Sequence, residues 1–239
     1  MLLKNIAKKV LFFLPSSVIE HITFETKSYF GRKAAKRLKT EPGKKNYINL
    51  GSGRIYIKGF INIDFFSTPQ LDYKADLRYP LLIDNETIDG IISEHTLEHL
   101  TYDEVDRLLG ECYRVMKDGA VIRIIVPDVS IFVRKYAEND RAWFDKWEQT
   151  TFTNSNDADR AKRKLHTPMQ AISFITQEYH HVACWDYETM KFYLEKNGFR
   201  SVEHVDFSKG KNPELLADTN NEYRRYISLY IEAEKPKKS

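Results

Sequence analysis

Two stretches of the chain hold residue types able to do chemistry. In His95-Thr-Leu-Glu98-His99 two imidazoles stand four positions apart around a carboxylate, while His180 and His181 follow later and Asp128 closes an apolar run. Imidazole titrates near neutrality, so His95, His99 and His181, together with Asp128, are candidates for a base that takes a proton from a hydroxyl. The same five residues match H-x-x-E-H, the inverted zinc-peptidase pattern, in which the histidines chelate metal and the glutamate is the base. That chemistry needs both histidines on one continuous helix, whereas here they fall between a strand and a helix cap at Thr101. The peptidase therefore stands as a rival, and no metal ligands are assigned. Glu94 and Glu98 are expected to brace the loop.

The second stretch, residues 49–66, reads NLGSGRIYIKGFINIDFF. Gly51 and Gly53 follow a short apolar run and Asp64 ends the next, which is where an α/β sheet lets backbone approach a ligand. A dinucleotide fingerprint is excluded: Tyr56 stands where the third glycine belongs, and Gly59 comes only six positions after Gly53, too soon for a crossover helix that would carry a pyrophosphate. What remains is a G-x-G turn with an acid at the end of the second strand. It suits a ligand with a ribose diol for Asp64 and no phosphate, and S-adenosylmethionine is such a ligand.

The elements that must position these residues follow from periodicity. Tyr47 to Leu50, Phe60 to Asp64, Tyr73 to Asp76, Ile88 to Ser93 and Ala120 to Val126 are expected strands, the last ended by Pro127. Thr101 and Glu104 form a capping box for a helix with Val105, Leu108, Leu109, Cys112, Val115 and Met116 on one face, running to a stop at Asp118-Gly119. Strand, helix and strand within about 40 residues make a βαβ unit, and near-continuous apolar strands suit a sheet covered on both faces. Near the end, Asp186 to Asn197 is expected to be helical, Val202 to Phe207 a strand, and Tyr226 to Ala233 a strand with Ile227, Leu229, Ile231 and Ala233 on one face. Residues 129–185 form an aromatic-rich insertion.

Composition sets the bounds. The 239 residues are 42% hydrophobic and 13% aromatic, enough for one good core with an appendage. Cys112 and Cys184 are the two cysteines, too few for a disulfide framework or a four-cysteine zinc site. The net charge of +3 hides an asymmetry, because residues 1–45 carry 11 Lys+Arg against 3 Asp+Glu. This basic extension is expected to be helical. Leu3, Ile6, Val10 and Phe13 share one face before Pro15, and Ser17 with Glu20 caps a second helix ending in GRKAAKRLK. It would pack on the domain or lie on an anionic membrane surface. Nucleic acid is disfavoured because no aromatics interleave the basic run 32–45. No apolar run approaches the roughly 18 residues of a membrane span, so a cytoplasmic protein is expected, peripheral at the inner face of the membrane where the extension binds it.

The ordered set NLGSG, GFINIDFF, YKADLRYPLLIDNETIDGIISEHTLEHL and EVDRLLGECYRVMKDGAVIRIIVPDV resembles the class I S-adenosylmethionine-dependent methyltransferases, in particular the small ones whose fourth strand ends in Glu-His-x-Leu-Glu-His. The similarity covers residues 46–128, and HVACWDYETMKFYLEKNGFR and YISLYIEAEK also look like that group. The resemblance implies a Rossmann-like α/β fold over residues 46–239, with a seven-stranded, mostly parallel sheet and an antiparallel last strand. It implies that Gly51, Ser52 and Gly53 line the methionine and ribose of the cofactor and that Asp64 holds the ribose hydroxyls. Asp76 and Leu77 would border the adenine, and Ser93, Glu94 and His95 would close the site. Similar enzymes often serve surface-glycan biosynthesis, and Trp143, Phe144, Trp147, His166, Tyr179 and Trp185 of the insertion offer flat faces among charges, although core packing is the expected fate of most. The expected activity is O-methylation of a saccharide or saccharide-linked metabolite. Another small-molecule acceptor, or a non-catalytic ligand-binding protein of the same fold, are the alternatives.

Overall fold

The computed structural model describes residues 15–41, 43–66, 69–153 and 164–238. Seven strands form one sheet in the order β3-β2-β1-β4-β5-β7-β6. They are β1 (Tyr47–Leu50), β2 (Phe60–Asp64), β3 (Tyr73–Lys74), β4 (Ile88–Glu94), β5 (Met116–Pro127), β6 (Arg200–Val205) and β7 (Ser228–Glu234). β1 pairs in parallel with β2 and β4, and β4 with β5, while β7 runs antiparallel to both neighbours. This is the sheet the resemblance implies. Its order reverses between β1 and β4, so the carboxyl ends of those two strands flank the crevice where such sheets take ligands.

The strands are apolar on both faces because both are covered. Ile48, Leu50, Ile63, Ile91, Ile122 and Ile124 pack into the main core, and Tyr47, Ile92, Val121 and Ile125 into a second cluster. Each fully buried side chain of this size contributes about 1.5–3 kcal/mol. The crossover helix α2 (Tyr102–Val115) starts at Thr101 with both arms of the expected capping box made, and it buries Val105, Leu108, Leu109, Cys112 and Val115. On β7 the expected alternation holds: Leu229, Ile231 and Ala233 face the main core and Tyr230 the other cluster.

Several boundaries differ from expectation. The helix before β5 ends at Val115, and Met116 through Gly119 belong to the strand; Met116 is apolar and fully buried either way, so periodicity could not separate the two. β3 stops at Lys74, β6 starts and ends two residues earlier than expected, and Tyr226 and Ile227 close a short helix, α7 (Glu222–Ile227), which follows the expected helix α6 (Tyr187–Lys196) and precedes β7. The extension's helix α1 (Ser16–Ala34) has Pro15 at its N-cap and no side-chain cap, so Ser17 and Glu20 do not form the expected box. It ends at Ala34 rather than continuing through the basic run, and the helix expected over Leu3 to Phe13 lies outside the described residues. α1 packs at the β3 edge, where Arg78 Nη1 donates to Glu25 Oε1 at 2.6 Å and Ser28 Oγ donates to Asp76.

In the insertion, α3 (Val129–Ala137), α4 (Arg141–Glu148) and α5 (Pro168–Gln177) enclose an aromatic cluster of their own around Phe132, Phe144, Trp147, Phe152 and Phe174. Trp143 stacks on Tyr226, and Trp185 is buried in the main core. Most of the aromatics considered for sugar stacking are thus spent on packing. Tyr179 and His166 remain exposed.

Candidate active site

The glycine turn is bound to the strands on both sides of it. Gly51 and Ser52 donate their N–H groups to Ile63 O, and Gly53 N–H donates to Asp64 Oδ2 at 2.8 Å. The other Asp64 oxygen accepts from Phe66 N–H at 2.7 Å. Both glycines have left-handed backbone, φ 72° and 52°, which a side chain would strain. They differ in surroundings. A Cβ on Gly51 would lie 2.2 Å from Thr96 Cγ2, whereas a Cβ on Gly53 would meet nothing within 4 Å. The room at Gly51 is filled by Thr96, and the room at Gly53 is open, beside a cavity of about 290 Å³ lined by Ser52, Gly53, Arg54, Tyr56 and Asn62.

Thr96 joins this turn to the chemistry-bearing loop, since its hydroxyl donates to Gly51 O at 3.1 Å. β4 ends at Glu94, His95 turns the chain with φ 51°, and Leu97–His99 form one 3-10 turn. A non-glycine residue in that region costs about 1–3 kcal/mol, and such residues gather at functional sites. The 3-10 turn rules out the continuous helix on which a zinc peptidase would carry His95 and His99. Instead His95 Nε2 bonds Ser228 Oγ at 2.8 Å and its Nδ1 lies 3.3 Å from Glu98 Oε1. Glu98 is 1% exposed, and among the described residues neither carboxylate oxygen has a hydrogen-bond partner of good geometry. Burial opposes its ionisation, but His95 and His99 outweigh that and hold its carboxyl below the usual range.

The insertion delivers His181 and not His180. Val182 N–H donates to Glu98 O at 2.8 Å, pinning the segment after α5 onto the 3-10 turn. The rings of His99 and His181 meet edge to face at 4.9 Å, and His180 is exposed. His181 Nδ1 bonds Ile175 O at 2.8 Å, and burial pushes its pKa down, so its ring is neutral at pH 7.

The remaining expected residues have other partners. Ser93 Oγ staples β4 to Leu50 O. Glu94 accepts from Thr219 N–H and Oγ and from Arg224 Nη1 at 2.6 Å, so it braces the segment before α7. Asp76 is 9% exposed and accepts from Ser28 Oγ, Arg78 Nε and Arg78 Nη2. Leu77 is in the core. A cavity of about 260 Å³ beside Asp76 is lined by Phe65, Tyr73 and Tyr79 and closed from above by Ser28 and Arg32 of α1. Asp128 caps α3 through Ser130 N–H. Thr96, Thr219, Arg224, Ser228 and the α1 residues went unnoticed in the sequence because only the fold brings them near β4 or β3.

A family model described as a methyltransferase domain matches residues 66–124. The stretch runs from the end of β2 through β4 and α2 into β5, the part of the sheet that frames the crevice. Residues 66–124 are thus similar to a methyltransferase domain. The open Gly53, the Asp64 carboxylate at the end of β2 and the cavity beside them lie next to the matched stretch. Among solved structures, an S-adenosylmethionine-dependent methyltransferase of Archaeoglobus fulgidus is 20% identical over 92% of this chain and 100% of its own, with a TM-score of 0.46. One from Thermotoga maritima is 14% identical over 97% and 96%, TM-score 0.44. Phosphoethanolamine N-methyltransferase 2 of Haemonchus contortus, in complex with S-adenosyl-L-methionine, is 13% identical over 89% and 53%, TM-score 0.44. No curated protein sequence matches the chain.

Proposed function

We propose that this methyltransferase O-methylates a small hydroxylated acceptor, a saccharide or saccharide-linked metabolite, at the carboxyl ends of β1 and β4. The observation that carries this reading is the contact of Thr96 with Gly51, which sets the histidine loop against the glycine turn at the reversal of strand order. S-adenosylmethionine supplies an activated methyl carbon: the acceptor oxygen bonds to it, and the carbon–sulfur bond breaks with its electrons going to sulfur. Around that displacement the chain's task is alignment and exclusion of water, and orientation alone is worth about 7–11 kcal/mol. Ser52 and Gly53 would line the cofactor's methionine and ribose, and Asp64 would accept from the diol. The imidazoles of His95, His99 and His181 form the group from which the acceptor of the hydroxyl proton comes, with Asp128, tied up as a helix cap, behind them. A saccharide is favoured because its hydroxyls need such a base and because Tyr179 stays exposed beside His181.

Titration of S-adenosylmethionine against wild type and Asp64→Ala tests the cofactor assignment. Hydrogen bonds to a charged group are worth about 1.5–3 kcal/mol, so affinity should fall on the order of 10- to 100-fold. Unchanged binding would mean that the diol is held elsewhere. Methyl transfer from labelled cofactor to a panel of sugars, nucleotide sugars and non-sugar alcohols then tests the acceptor class.

A further inference from the structure

We infer that Glu98, His99 and His181 form a binding site for one divalent transition-metal cation, Zn²⁺ by preference, at the mouth of the crevice. One ligand atom from each lies within 4.8 Å of the others. The independent observation is Glu98 itself, whose side chain is 2% exposed and whose two oxygens have no hydrogen-bond partner among the described residues. A buried carboxylate left so costs several kcal/mol unless a cation compensates it. The nearest basic groups, His95 Nδ1 at 3.3 Å and His181 Nε2 at 4.0 Å, stand beside Oε1 without good hydrogen-bond geometry.

The imidazoles are arranged as ligands. His181 Nδ1 bonds the carbonyl of Ile175, so that nitrogen carries the proton and Nε2 presents its lone pair to Glu98 and His99. This is the outer-shell hydrogen bond that metal-bound histidines usually make. His95, bonded to Ser228 on its far side, stands as an outer partner to the carboxylate. Two imidazoles and one carboxylate are a ligand set that zinc and its neighbours accept with a position left open, and His99 is exposed, so the site can be reached from solvent. Bonds of about 2.0–2.1 Å put ligand atoms about 3.3 Å apart around a tetrahedral ion, so closure takes side-chain shifts on the order of 1 Å. The backbone is already held, by Val182 and Ala183 N–H on Glu98 O and by left-handed Tyr179 and His180, which turn the chain to deliver His181. This ligand set shares His99 and Glu98 with the H-x-x-E-H motif but replaces His95 by a histidine from the insertion.

The site's existence stands on side-chain geometry alone. Its use rests on the methyl-transfer reading, in which the cation would polarise an acceptor hydroxyl held beside it. The test uses the full chain, stripped with chelator and titrated calorimetrically with Zn²⁺, with Co²⁺ as a spectroscopic probe. One equivalent of zinc should bind, cobalt should give the visible absorption of a low-coordinate site, and zinc should raise the melting temperature. Glu98→Gln and His181→Asn should each weaken zinc binding on the order of 100-fold and abolish the thermal shift. His99→Ala, an exposed position whose loss leaves the core intact, should do the same. Substoichiometric zinc in the wild type, or zinc binding unchanged in His99→Ala, overturns the proposal. S-adenosylmethionine affinity measured on the same metal-free protein keeps failure of this site distinct from failure of the cofactor assignment.

Discussion

At the scale of single residues, the two glycines of the G-x-G turn show how one motif can serve two purposes. Gly51 is required by a neighbour: Thr96 occupies the volume a Cβ would need, at 2.2 Å, and the backbone is left-handed as well. Gly51→Ala should therefore destabilise the protein by about 2–4 kcal/mol, the sum of overpacking and of a left-handed alanine. In a Thr96→Gly background the overpacking part disappears, and the added cost of Gly51→Ala should fall to about 1–2 kcal/mol, read by denaturant unfolding as a double-mutant cycle. An undiminished penalty in that background would show that Thr96 is not what fills the space. Gly53 has no such neighbour, and it lines the open cavity with Ser52, Arg54 and Asn62.

At the scale of elements, α1 adds to the hold that Arg78 has on Asp76. Burial alone would raise this carboxyl, but hydrogen bonds from Arg78 and Ser28 outweigh it and hold the pKa below its ordinary value of 3.8. A group depressed in the folded state stabilises above its unfolded pKa, and that stability is lost as pH falls through the lower folded value. The wild type should thus lose stability below about pH 4 in a step that Asp76→Asn lacks, and Ser28→Ala should make the step smaller. Thermal melts between neutral and acid pH check this; identical acid profiles for wild type and Asp76→Asn would refute the role of Asp76, and an undiminished step in Ser28→Ala would refute that of the α1 contact. β1 and β2 were legible to the residue in the sequence, because four- and five-residue runs with three apolar residues each stand between turn formers. The capping box of α2 was legible because Thr101 and Glu104 satisfy each other locally. What escaped was set by distant partners: Ser28 on Asp76, Arg224 on Glu94, Thr96 on Gly51. Met116 was ambiguous because full burial erases the difference between helical and strand periodicity.

At the scale of the whole molecule, charge and apolar surface coincide at the N-terminal extension. Residues 1–45 hold 11 of the 37 Lys+Arg and 3 of the 34 Asp+Glu, so the rest of the chain is acidic and the basic character is local. Among the described residues no helix is long and apolar enough to cross a membrane. On α1, however, Val18, Ile22, Tyr29 and Phe30 are exposed while Phe24, Glu25, Ser28 and Arg32 face the domain, so the helix docks by a mixed face and leaves large apolar side chains outward. Outward apolar side chains of this size suit a helix that meets an anionic lipid surface with apolar residues inserted and lysines around them. Each basic residue near such a surface is worth about 1 kcal/mol, screened within a Debye length of about 8 Å at physiological salt. The full chain should co-sediment with vesicles containing phosphatidylserine and not with phosphatidylcholine alone, and high salt should release part of it. Val18→Ser with Phe30→Ser should remove the salt-resistant part while leaving S-adenosylmethionine affinity unchanged, since both side chains point away from the cavities. Equal binding to both vesicle types, or none to either, would assign the outward face of α1 to something other than a membrane. The placement matters because the inner side of α1 closes the cavity beside Asp76: a helix held by lipid on one face and by the β3 edge on the other would fix that cavity relative to the membrane.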